Sequence, residues 1–198
     1  PPARQRYAET VRIGLDGTRT TLKRPAYYGH YYTYNDATLN DCISTLLEAH
    51  RRYQKPEYIE GVRKAGDFII LSQLKPPQAG WAQQYTRDLK PEWARRFEPK
   101  SVCSAVTVRN IHTLIEFYLT FGDAKYLKPI PAALDWLERS KLPGKGSRWA
   151  RFYEIGSNRP LYMTRKYELT YKDDDLPTHY SFIANYGGDS AAARYREV

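Results

Sequence analysis

The chain is poor in most features that mark a function at once. Its 198 residues hold two cysteines, Cys42 and Cys103, one methionine and no apolar run of membrane-spanning length. Two cysteines fit no zinc spacing. They are read as buried thiols or, in an oxidising compartment, as one disulfide between the starts of two helices. No Gly-rich phosphate loop is present, and no run of five basic residues. No signal peptide is visible. The chain opens on Pro1-Pro2-Ala3, which reads as a processed, truncated or trimmed start.

What is abundant is basic charge and tyrosine. Lys and Arg number 31 against 22 Asp and Glu, giving +9 at pH 7, and there are 18 tyrosines. A dispersed positive charge favours a polyanionic partner met by a groove rather than by a basic tail. Tyrosine offers a flat apolar face with a polar tip, suited to cores and to stacking against sugars or bases. No nucleic-acid motif accompanies the charge, so nucleic acid is not the expected partner. Membrane is not expected either.

One stretch occurs twice. Gly80-Trp81-Ala82-Gln83-Gln84-Tyr85 and Arg148-Trp149-Ala150-Arg151-Phe152-Tyr153 share W-A-x-x-Y at a spacing of 68 residues. The register holds upstream: Phe68 with Trp136, Ile59 with Leu127, Ile43 with Ile111 and Leu46 with Leu114. One structural unit used twice is expected: helix, turn, helix, then a loop with an aromatic platform. Asn35-Asp36 starts the first helix, Pro56 the second. The third runs from about Ser101 to Phe121 and is stopped by Gly122. A fourth follows Asp123 and buries Leu134, Trp136 and Leu137. Residues 149–171 read as extended segments, and the tail from Gly187 as frayed. The expected division is a single domain over 1–198: an extended segment 1–34, hairpin repeats 35–100 and 101–171, and a tail 172–198.

Three sets of residues together resemble the family 10 pectate lyases. They are Tyr34-Asn35-Asp36-Ala37-Thr38, the segment around Trp81, and the segment around Trp149 continued by Asn158-Arg159-Pro160-Leu161-Tyr162. The similarity spans residues 27 to 171. It implies a mainly α fold, a helical-hairpin (α/α) toroid that is incomplete with two hairpins and has a small extended C-terminal region. It implies calcium-dependent β-elimination on an acidic, uronate-containing polysaccharide by a secreted or periplasmic lyase. The chain would be monomeric unless another chain supplies the missing hairpin.

Carried over, the resemblance makes Asp36 a calcium ligand. The second aspartate position falls on Cys103 and Ser104, and Glu98 is the substitute from the loop. Calcium would neutralise the sugar carboxylate beside the C5 proton. Arg165 becomes the candidate base, with Arg151 and Arg159 as fallbacks. Trp81 and Trp149 are expected to bind substrate by lining the sugar groove, partly buried with an exposed edge. Gln83, Arg148, Arg151 and Arg159 are expected to bind carboxylates. The alternative is a non-catalytic acidic-glycan-binding or interaction module on the same scaffold.

Overall fold

A computed structural model describes residues 6–198; the opening Pro1-Pro2-Ala3 lies outside them. In chain order the elements are β1 (Tyr7–Ile13), β2 (Arg19–Pro25), β3 (Tyr32–Thr33), α1 (Thr38–Tyr53), α2 (Pro56–Leu71), β4 (Gln84–Tyr85), β5 (Val102–Cys103), α3 (Ser104–Phe121), α4 (Ile130–Arg139), β6 (Trp149–Ala150), β7 (Phe152–Tyr153), β8 (Pro160–Met163), β9 (Leu169–Thr170), β10 (Ile183–Ala184) and α5 (Gly188–Arg196).

The expected mainly α toroid of two hairpins is not what forms. Beside the helices stands a six-stranded mixed sheet in the order β2-β1-β9-β8-β7-β5, with β1 parallel to β9 and the other pairs antiparallel. Two small sheets, β10-β6 and β3-β4, complete it. Apart from the β1–β2 hairpin, these strands are two to four residues long. They are drawn from loops far apart in the chain, too short to show a two-residue alternation. The Gly187 tail also departs from expectation. It folds as α5, which buries Ala191 and seats Gly188 against the Trp149 ring. Among the described residues no helix is long and apolar enough to cross a membrane.

The 68-residue repeat is visible bond by bond. The Trp81 indole N–H donates to the Ile69 carbonyl at 2.7 Å, and that of Trp149 to the Leu137 carbonyl at 2.7 Å. The Ala82 N–H meets the Tyr85 hydroxyl at 2.7 Å; the Ala150 N–H meets the Tyr153 hydroxyl at 3.0 Å. Leu74 N–H bonds the Gly80 carbonyl as Leu142 N–H bonds that of Arg148. The tryptophans clamp the last turn of the preceding helix at a carbonyl they share with a serine there, Ser72 Oγ at Ile69 and the Ser140 N–H at Leu137. Both are core residues, Trp81 at 0% and Trp149 at 1% exposure. The exposed edges expected of them are absent.

The register breaks at one place. Thr33 pairs with Gln84, and Cys103 with Phe152, so the leading strands are offset by 70 residues and the rest by 68. The two extra residues of the first repeat are taken up in a 3-10 turn, Asn35–Ala37, in which Asp36 (φ 50°) and Ala37 (φ 60°) are left-handed. α1 therefore begins at Thr38, and Asp36 is not a first-turn helical residue. The expected equivalence of Asp36 with Ser104 falls inside this insertion.

Candidate functional site

The loop that follows Trp81 carries Arg95-Arg96-Phe97-Glu98, and it folds against the segment around Tyr180. Glu98 is 1% exposed. Its Oε1 accepts from Arg95 Nη2 at 2.5 Å and from the Tyr180 hydroxyl at 3.2 Å. Its Oε2 accepts from the Arg95 backbone N–H at 3.1 Å. Arg95 also stands 3.8 Å from Asp36, whose side chain is 74% exposed. The paired Glu98 carboxylate raises the Arg95 pKa further, against a smaller opposing effect of burial.

Gln83 and Arg151, equivalent in the repeat, flank Tyr180. The Tyr180 hydroxyl lies 3.5 Å from Gln83 Oε1, and the Arg151 guanidinium lies 4.4 Å from the Tyr180 ring centre. Burial pushes the Tyr180 hydroxyl pKa upward, with Arg151 opposing it. Cys103 is buried behind them, its thiol 3.9 Å from Gln83 Oε1. Burial raises the thiol pKa, while Arg151 and the N–H groups at the start of α3 pull it down. Cys42 is exposed, and both cysteines are free thiols. The Gln83 Nε2 is buried without a partner.

The structure therefore brings Asp36, Gln83, Glu98 and Arg151 to one neighbourhood. Other expected residues lie elsewhere. Arg165 is 74% exposed and holds Asp175 at 2.5 Å. Arg148 and Arg159 are exposed. Arg159 lines a separate pocket with Arg12, Asp16 and Tyr171. Ser104, at the expected second metal position, is fully buried and donates its hydroxyl to the Ala150 carbonyl at 2.7 Å.

These residues do not fit a calcium site. A guanidinium already stands between the two expected carboxylates, and both oxygens of Glu98 are engaged. Among the described residues no group of three or more His, Cys, Asp or Glu is placed to hold an ion.

Sequence reasoning missed Arg95 and the aromatic wall beside it. Phe97 lies under the Arg95 guanidinium at 5.0 Å and packs edge-on to Tyr180 and His179 at 4.9 and 5.3 Å. Tyr167 lies beneath Arg96 at 5.4 Å. The signal available was the Arg95–Glu98 spacing in a long loop, where binding residues concentrate. The aromatic surface expected of the tryptophans is supplied here by Phe97, Tyr167 and His179.

No protein-family model matches the chain, and no curated protein does. Solved structures do, among them these two. One is the family 10 polysaccharide lyase from Cellvibrio cellulosa, with TM-score 0.73 and 21% identity, covering 87% of this chain and 64% of that one. The other is an aspartate-to-alanine mutant of that lyase in complex with trigalaturonic acid, with TM-score 0.73 and 20% identity, covering 85% of this chain and 63% of that one. The chain thus spans under two thirds of the length of the structures it matches. At the level of fold, the resemblance read from the tryptophan segments holds: most of this chain shares its fold with a family 10 polysaccharide lyase.

Proposed function

We propose that this chain takes an acidic, uronate-containing polysaccharide of the pectate type and cleaves it by β-elimination. The observation that carries the reading is the overlap in fold with a lyase that holds trigalaturonic acid, joined to a site where Arg95 and Arg151 sit among aromatic rings. Elimination requires that the carboxylate beside the C5 proton be neutralised and that the developing negative charge be held. The guanidiniums of this chain supply cationic N–H donors in a geometry suited to a planar carboxylate. Calcium belonged to the expected chemistry, but with Glu98 bound to Arg95 no step is assigned to it. A polymeric substrate of this kind suits an exported protein.

A second reading is favoured by the Arg165–Asp175 pair and by the buried Ser104 hydroxyl. It is binding of the same glycan without cleavage. The test is ultraviolet absorbance of the unsaturated uronide during incubation with polygalacturonate, with calcium and with chelator. Rising absorbance that falls to background in Arg165→Ala assigns the base. Binding of the polymer without any rise establishes the non-catalytic reading. Neither binding nor product removes both.

A further inference from the structure

Between α1 and α3 lies a pocket of about 540 Å³, within the range of small-ligand sites. Asn40 of α1 and Arg109 and His112 of α3 form its walls, and Arg151 and Tyr186 close one end. Arg151 reaches it from the Tyr180 cluster, so the pocket continues the candidate site along α3.

Its charge is unbalanced. Arg151 is half-buried; its Nε donates to the Ser181 carbonyl at 2.8 Å, and its plane rests over Tyr180 and Tyr186 at 4.4 and 5.3 Å. Arg95, Arg165 and Arg194 each have a carboxylate partner. Among the described residues no ion pair is formed by Arg151 or by Arg109. The acid of the pocket, Glu116, is engaged by Arg194. Removing a guanidinium from water without a counter-charge is unfavourable unless an anion arrives. Stacking on tyrosine faces stabilises the cation but leaves its edge N–H groups available for a carboxylate. Beside it, the Asn40 Oδ1 is buried with no partner, while its Nδ2 is held by Thr113 Oγ1 at 2.7 Å.

We infer that this pocket is a subsite for one uronate ring, whose carboxylate is met directly by Arg151 and Arg109 rather than through a metal ion. The inference rests on the acidic-polysaccharide reading above and adds to it the place and the metal independence of recognition.

The test is calorimetric titration of the whole chain with a galacturonate trimer in chelator, with maltotriose as the neutral control and inorganic phosphate as the bare-anion control. Saturable binding of the acidic trimer alone is expected. Arg109→Gln and Arg151→Gln should each weaken it about tenfold or more, the effect of losing a charge-assisted hydrogen bond. Arg109 is exposed, so its variant folds even if Arg151→Gln does not. Unchanged affinity in Arg109→Gln, loss of wild-type binding in chelator, or equal binding of phosphate would each overturn the subsite. Failure of the wild type to bind the acidic trimer, even with calcium added, would instead remove the function it rests on.

Discussion

The two repeats make the same hydrogen bonds and live in different surroundings. α1 buries a single residue, Ile43, whereas α3 buries nine, from Ser104 to Phe117. Yet α1 and α3 end alike, in a left-handed residue whose N–H returns to a carbonyl four residues back: Gln54 to His50 and Gly122 to Tyr118, each at 2.8 Å. α3 packs against α2, α4 and α5, whereas α1 packs chiefly on α2 and keeps an open outer face. The lesson is that the W-A-x-x-Y unit is a local clamp that works at either degree of burial. The copies differ at Gln83 against Arg151, and in the extra turn that carries Asp36.

The largest effect that could break this comparison is removal of a tryptophan. Trp81→Ala and Trp149→Ala should each destabilise the fold by about 3–5 kcal/mol in denaturant unfolding, from cavity formation plus the lost indole hydrogen bond. Trp149→Ala should additionally release α5, because Gly188 lies against that ring. If Trp81→Ala were nearly neutral, the clamp would not be shared.

Next in size are the helix ends. Gly122→Ala places a side chain at φ 67° and should lower stability by roughly 1 kcal/mol, whereas Gln54→Gly, at φ 54°, should raise it by about 0.5 kcal/mol or leave it unchanged. Thermal unfolding of the pair measures both signs. A smaller contrast is chemical. Cys42 should alkylate rapidly in the folded chain, while Cys103, buried and with its thiol pKa raised by that burial, should react only on unfolding. Equal rates would contradict the burial assigned to the start of α3.

The smallest effect is on pH dependence. His112 has its pKa lowered by burial and by Arg194, and the equivalent position in α1 is Ser44, which does not titrate. The unfolded chain therefore binds the proton more readily. Stability should be unaffected above the ordinary histidine value of about 6.5 and should decline as pH falls through the window beneath it. His112→Gln should flatten that part of the melting-temperature profile.

Much of the helical framework was legible because its signals are local. Pro56 opens α2, Gly122 closes α3, and the 68-residue register fixed which residues correspond. The sheet was not legible, since residues such as Cys103, Phe152, Leu161 and Leu169 join it through pairings distant in sequence and too short to alternate. At the site, Gln83 and Arg151 were marked by the repeat spacing, and Asp36 and Glu98 only by what the family resemblance implies. Their cation was not, because Arg95 lies in a loop with no period, and only tertiary contact places it between Asp36 and Glu98. The tryptophans misled for a physical reason. An indole at a loop start can stack on a sugar or cap a helix, and sequence alone does not say which carbonyl its N–H will meet.

The account turns on guanidiniums, rather than a metal, receiving the acid group of a uronate. The most direct measurement is the affinity of the wild-type chain for a galacturonate trimer as calcium is withdrawn by chelator and salt is raised. The account predicts binding that survives chelation and weakens with ionic strength. Binding that vanishes on chelation and returns with calcium alone would contradict it.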